Sequence, residues 1–449
     1  MKRSFRTGVA ALMTAVSCLL TGCSSFRLAV SPDDLYAPPQ LPAEYTELNR
    51  AIRTLLSNGM EYAAPISGSN TQTVQLHDLD GDGVQEALAF LRNPGEEQPL
   101  RIHIFRKGTE GYEPMAVIAG SGTEIYSFAP HDLNGDGLAE LLVGWQTGAE
   151  LRALSVWAAR DMEPQELLRS AYIKYDVTDL DGDGCAEVTV FRDDERGVAA
   201  ADLYIWNQGA MEKTSEETLS FYLDQLAAGR VVSGTLRDGV PALFVTGVTS
   251  YGASITDVLW LREGLLANAA RSPNTGISSD IYRYRELFPC DLNGDGVTEI
   301  PAAAIIPAAE EDDEGEYYRV DWYSRDSAGF REISLSTYHD SADGWYLELP
   351  EGWAERISVS RGLRTADELA VTLCDTGSGK PLVRISALTG SGRELQASRG
   401  NRILLSRQTD VIYVGELLEG NAGRKDGIDE DGLRRRFHIV AREWSSGDY

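Results

Sequence analysis

Apolar residues along this chain fall mainly in short runs rather than in helical stripes. ALAFL (87–91), LLVGW (141–145), VTVF (188–191) and IPAAAII (300–306) are strand-like in length and residue type. A second kind of segment alternates and ends in an aromatic: RIHIF at Phe105, ALSVW at Trp157, DLYIW at Trp206, TDVLW at Trp260 and YRVDW at Trp322. Helical spacing is rare. Leu48, Ile52 and Leu55–Leu56 share one helical face, and Gly59 is placed to end it. This predicts one amphipathic helix within residues 44–60, packing on whatever follows.

The two kinds of strand recur together, behind an acidic nonapeptide. Asp78-Leu79-Asp80-Gly81-Asp82-Gly83-Val84-Gln85-Glu86 returns at Asp132–Glu140, Asp179–Glu187 and Asp291–Glu299. The aromatic segment follows each first aspartate by 27, 25, 27 and 31 residues. Trp260 is preceded at a similar distance by Leu236–Val245, which reads as the same unit with its acidic ligands lost. The middle of the chain is therefore five units of about 50 residues, four with an intact loop. Several strands per unit at that period predict a propeller.

The loop composition points to a hard cation. Calcium takes six to eight oxygen ligands at about 2.3–2.6 Å. Side chains at positions 1, 3 and 5 of a tight turn can converge on one point, with a backbone carbonyl from position 7 and closure at position 9. The expected ligands are Asp78, Asp80, Asp82, Val84 and Glu86; Asp132, Asn134, Asp136, Leu138 and Glu140; Asp179, Asp181, Asp183, Cys185 and Glu187; Asp291, Asn293, Asp295, Val297 and Glu299. About four calcium ions are expected. An EF-hand is excluded by position 12, where a bidentate Glu belongs and Ala89, Val143, Val190 and Ala302 stand.

These loops, with the strand after each, resemble the FG-GAP/VCBS repeats of integrin α-like propellers and bacterial surface proteins. The resemblance covers about residues 65–337. It implies an all-β fold, an FG-GAP-type β-propeller of about five blades or more, with calcium bound beside the strands of each intact blade. Five units are fewer than the seven blades usual in that family, so further segments could supply blades. After residue 337 the acidic loops stop. Runs at 356–360, 368–374, 381–390, 401–406, 411–417 and 437–444, with a short helix at 431–436, predict a second small β-rich C-terminal domain over 338–449.

The amino terminus carries its own message. Lys2, Arg3 and Arg6 precede an apolar stretch, Gly8–Leu20, that is too short to span a bilayer. It ends in Leu20-Thr21-Gly22-Cys23, which resembles the bacterial lipobox. The resemblance implies a signal peptide at 1–22, lipidation of Cys23 and a tether over 23–43. The expected location is extracytoplasmic, anchored to the cell membrane at the cell surface.

Charge and composition then limit the partners. The chain of 449 residues has 41 Lys+Arg against 69 Asp+Glu and a formal net charge of -28. That excess opposes binding to nucleic acid, whose phosphates need clustered cations. Cys185, Cys290 and Cys374 have no metal-ligand or disulfide-framework spacing and read as small buried residues. No phosphate-binding glycine loop, HExxH or nucleophile elbow occurs. The favoured function is therefore a binding module for a protein or glycan, presented on loops. The alternative is an extracytoplasmic hydrolase or lyase acting on envelope polymer.

Overall fold

The structure, a computed structural model, describes residues 45–440 except 110, 150, 161–162, 283–286, 312–314, 341–342, 363–364 and 366. The expected signal peptide, Cys23 and the tether lie outside the described residues.

The fold is all-β, built of antiparallel sheets that succeed one another along the chain. The first sheet comprises Glu61–Tyr62, Val74–His77, Glu86–Arg92, Leu100–Gly108 and Gly111–Gly120. The second comprises Glu124–His131, Glu140–Gln146, Arg152–Ala158 and Gln165–Tyr172. Lys174–Thr178, Glu187–Asp193, Ala199–Asn207 and Ala210–Thr218 form the third. Arg230–Thr235, Pro241–Val248, Ser254–Arg262 and Leu265–Asn268 form the fourth, with Ile281–Tyr282 added beside the third of these. The fifth contains Ile300–Ile306, Tyr317–Arg325, Arg331–Asp340 and Trp345–Glu348.

The apolar runs at 87–91, 141–145 and 188–191 become inner strands of their sheets, whereas 300–306 becomes an edge strand of the fifth sheet, with Ile305 exposed. Glu86–Arg92 and Glu140–Gln146 are buried at every residue but the last. Such strands lie between two neighbours in their own sheet and two packed layers, so both faces must be apolar. The last strand of the third sheet, Ala210–Thr218, lies at the sheet edge and buries only Met211.

Consecutive sheets pack face to face. Phe90, Leu100 and Ile102 of the first meet Ile125, Leu141 and Trp145 of the second. Leu142 and Val156 meet Val188 and Val190 of the third. Phe191 and Leu203 meet Leu243 and Leu259 of the fourth. Phe244 and Val258 share a cluster with Ile300 of the fifth. Trp157, Trp206 and Trp260 are half-buried within these clusters, and Trp322 is fully buried. The repeated aromatic is thus a packing residue: Trp157, Trp206 and Trp260 pack between sheets, Phe105 packs with Leu48 and Ile52, and Trp322 packs within its own unit.

The C-terminal segment 338–449 does two things. Ile357–Arg361, Glu368–Asp375, Pro381–Leu388, Ile403–Arg407 and Ile412–Leu417 make a sixth sheet, in which the last strand sits between the two before it. Its inner face shares a core with the fifth sheet through Tyr338, Trp345, Trp353, Ile385 and Leu433. The chain then returns: Phe437–Ile439 pairs with Trp345–Glu348 at the edge of the fifth sheet.

Four helices pack on or between the sheets among the described residues. The predicted helix is α1, Thr46–Ser57, which buries Leu48 and Ile52 against Ala87, Leu91, Phe105 and Tyr112. Gly59 follows its end with φ +94°, a value that costs glycine little. The five-residue α2, Leu223–Ala227, buries Leu226 between the third and fourth sheets. On the sixth sheet, α3 (Arg393–Ala397) lies against Leu388, Ile412 and Val414. The last helix, α4 (Glu430–Arg436), is capped by Asp429, whose carboxylate accepts from the Gly432 N–H.

Candidate metal centres

Each acidic loop connects two consecutive extended segments at the same register. His77 pairs with Glu86, His131 with Glu140, Thr178 with Glu187, and Cys290 with Glu299 by an isolated bridge. The first ligand position therefore starts where one strand ends, and the closing glutamate starts the next.

The four loops are wired alike. The position-1 carboxylates of Asp78, Asp132, Asp179 and Asp291 accept from the N–H of Gly83, Gly137, Gly184 and Gly296 at 2.8–3.0 Å. Oδ1 of Asp80, Asn134, Asp181 and Asn293 accepts from the N–H of residue 82, 136, 183 and 295. Oδ1 of Asp82, Asp136, Asp183 and Asp295 accepts from the N–H of Val84, Leu138, Cys185 and Val297. Oε2 of each closing glutamate accepts from the N–H of the leucine at position 2, from 2.6 Å at Leu180 to 3.1 Å at Leu133 and Leu292. These bonds use one oxygen of the side chains at positions 3, 5 and 9. The second oxygen of each carboxylate there remains to face a cation.

In the first and third loops three carboxylates converge closely enough to share one ion. One ligand oxygen from each of Asp78, Asp80 and Glu86 lies within 4.8 Å of the others, and the same holds for Asp179, Asp181 and Glu187. Two oxygens each about 2.4 Å from a common ion can be at most about 4.8 Å apart. In the second and fourth loops the position-3 residue is an amide. There Asn293 Nδ2 donates to Asp295 Oδ2 at 3.0 Å and to Glu299 Oε1 at 3.2 Å. In the second loop Arg160 Nη2 reaches Asp136 Oδ2 at 2.7 Å and Glu140 Oε1 at 3.0 Å. Arg160 was not among the residues singled out by the sequence; it lies beyond the end of the third strand, outside the motif.

The closing glutamates are buried, with Glu140 and Glu299 wholly so. Burial pushes Glu187 and Glu299 up to about 7; the Leu180 and Leu292 N–H groups oppose the rise, and the loop aspartates add to it. Burial also raises Glu86 and Glu140. Carboxylates held this way gain from a nearby cation, which favours their charged form.

The fourth sheet has no acidic nonapeptide. Thr235 pairs with Pro241, so residues 236–240 form the whole connection, shorter than 78–85 in the first sheet. Its side chains bind the fifth sheet directly. Arg237 pairs with Asp326 and Glu332, and Asp238 accepts from the N–H and hydroxyl of Ser327.

Neighbouring loops also touch. The Ala186 N–H donates to the Leu133 carbonyl at 3.1 Å, and the Thr298 N–H donates to Thr235 at 2.9 Å. A Cβ on Gly81 would stand 2.9 Å from the Gly137 carbonyl, so the first two loops pack at glycine distance. The loops thus form a row along one rim.

The histidines before the loops take no part in the carboxylate wiring. His77 Nε2 lies 3.1 Å from Gln75 Oε1, and burial lowers both His77 and His131. Near the C-terminal end Asp426 is bound by Arg424 and Asp429 caps α4, so these two aspartates are structural. Cys374 is buried, whereas Cys185 and Cys290 are only half-buried; all three are free thiols.

Fold and loops define an all-β protein of successive antiparallel sheets, four of them carrying an acidic loop. Residues 78–143 match the family model of the FG-GAP-like repeat, a span that holds the first two acidic loops and the strands between them. Among solved structures, the crystal structure of AofleA from Arthrobotrys oligospora is similar at 9% identity, over 73% of this chain and 90% of that chain, with a TM-score of 0.25. No curated protein matches the chain.

Proposed function

We propose that this chain is a membrane-anchored, extracytoplasmic interaction module, stabilised by calcium, whose ligand is a protein or a glycan. The observation that carries the calcium reading is the convergence of Asp78, Asp80 and Glu86, and of Asp179, Asp181 and Glu187, on ion-sized spaces within identically wired loops. Extracellular calcium modules bind at about 10⁻⁴–10⁻³ M. At tenfold excess over Kd each site would add about 1.4 kcal/mol. A few such sites matter against a total stability of about 5–15 kcal/mol.

The anchor rests on the Lys2-to-Cys23 pattern, and the interaction role on what the rims expose. In the fourth sheet the connection 236–240 marks the rim of the acidic loops, so the turn after Val248 belongs to the opposite rim. Tyr251 on that turn is 94% exposed, and Tyr222, just before α2, is 70% exposed. Large aromatics held on short connections of a rigid scaffold suit recognition of a protein or a sugar ring.

The test is a calcium titration by calorimetry, paired with thermal melting in EGTA and in millimolar calcium. Binding heat with a rise of several degrees supports the reading. No heat and no shift would remove calcium from the protein's function.

A further inference from the structure

We propose that Arg160 is a built-in cation that closes the loop Asp132–Glu140, so that this loop holds a guanidinium where the first and third loops hold a metal ion. The inference rests on the calcium reading of those two loops.

Three observations carry it. Arg160 Nη2 bonds Asp136 Oδ2 at 2.7 Å and Glu140 Oε1 at 3.0 Å, and these are the second oxygens that the loop's backbone leaves over. Glu140 is wholly buried, so its charge needs a partner at hand, and Arg160 supplies it from the same sheet.

The cation is also particular to this sheet. The residues after the closing glutamates, Ala87, Leu141, Val188 and Ile300, pair with Phe105, Trp157, Tyr204 and Tyr323. Three residues beyond those partners stand Gly108, Arg160, Asn207 and Asp326. In the first sheet Arg106 lines a cavity with Asp80 and Glu86, but among the described ion pairs only Arg160 bonds the position-5 and position-9 carboxylates of an acidic loop.

Finally, the loop is less acidic to begin with. Asn134 stands where the first and third loops have Asp80 and Asp181. Three carboxylates and a guanidinium leave far less negative charge for a divalent ion than four carboxylates do, and the guanidinium repels that ion at close range. Asn293 makes the same exchange in the fourth acidic loop without an arginine, so the arginine is what sets the second loop apart.

The experiment counts calcium ions bound to the full chain, by calorimetry and native mass spectrometry, in the parent and in Asp136→Asn, Asp181→Asn and Arg160→Gln. Asp136→Asn should leave the count unchanged, Asp181→Asn should lower it by one or weaken one site at least tenfold, and Arg160→Gln should raise it by one. Loss of an ion in Asp136→Asn overturns the inference, as does an unchanged count in Arg160→Gln when Asp181→Asn has lost one. A parent that binds no calcium fails differently, because Asp181→Asn then changes nothing, and it removes the calcium reading itself together with this inference.

A metal-free readout checks the ion pair. In EGTA, Arg160→Gln should lower the melting temperature, and adding Glu140→Gln should lower it little further. Additive losses would show that the two side chains do not act as a pair, against the proposal.

Discussion

The N–H of Ala139 donates to the carbonyl of Leu79 at 2.7 Å, joining the second acidic loop to the first. Leu79 is also the residue whose N–H is held by Glu86. The closing glutamate of one sheet therefore holds the N–H of a residue whose carbonyl the next sheet uses, and the loops act as joints between sheets.

A substitution at position 3 separates these roles. Asp181→Asn keeps the Oδ1 that accepts from the Asp183 N–H at 3.1 Å and removes one carboxylate oxygen from the converged set. Calcium affinity of that loop should fall at least tenfold, with a lower melting temperature in calcium. In EGTA the variant should melt at or above the parent, since it has lost like-charge repulsion. Parallel melting curves in the two conditions check both statements.

Gly120 faces Trp145 across the first two sheets. A Cβ there would lie 2.3 Å from the indole, which is wholly buried and donates to Ser155 Oγ at 2.7 Å. Gly120→Ala should destabilise by about 1–3 kcal/mol through overpacking. Urea unfolding measures the loss; a variant within 0.5 kcal/mol (about the noise of surface substitutions) would refute the packing argument.

His339 gives the protein an acid-sensitive core. It stacks on Tyr346 at 5.1 Å, lies 6.1 Å from Trp322, and has Nε2 2.8 Å from Thr337 Oγ1. Burial lowers its pKa to about 3. The unfolded chain takes up this proton near pH 6.5 and the folded chain does not, so the contribution is whole above about pH 6.5. It is lost as pH falls from there toward 3, with a slope of at most about 1.4 kcal/mol per unit. The stability difference between the parent and His339→Gln, measured in urea, should shift in favour of the variant from pH 7.5 to 4.5. A constant difference would contradict the assignment.

The returning chain end should matter to the fifth sheet. Phe437 pairs with Leu347 in register and packs on Trp345 at 5.8 Å between ring centroids. Tyr413 reaches the same ring at 5.4 Å. Phe437→Ala should cost about 3–5 kcal/mol, the range for a buried aromatic. Protection of the 345–348 amides in hydrogen exchange should fall with it, while protection of 87–91 stays.

Much of this could be read along the chain. The nonapeptides announce turns between strands because Gly at positions 4 and 6 adopts positive φ, as Gly135 and Gly137 do at +70° and +85°. The unbroken runs after the first three announce inner strands, because a strand covered on both faces cannot alternate, while the run 300–306 lies at a sheet edge. The helical spacing of Leu48 and Ile52 announced α1. The half-buried state of Cys185 was less legible, since it depends on how far a loop stands from the next sheet.

What the sequence determined by itself is local: which residues turn, which extend, and which side chains carry charge into each loop. What only the tertiary structure decided is which distant groups meet. Arg160 enters the second loop through the pairing of Leu141 with Trp157, Arg237 ties the fourth sheet to the fifth through Glu332, and Phe437 returns to Leu347. The physical reason is that turn and strand preferences arise from each residue's own backbone and nearest neighbours. Ion pairing and edge closure instead depend on register between strands far apart in the chain, which is set when whole faces are buried together.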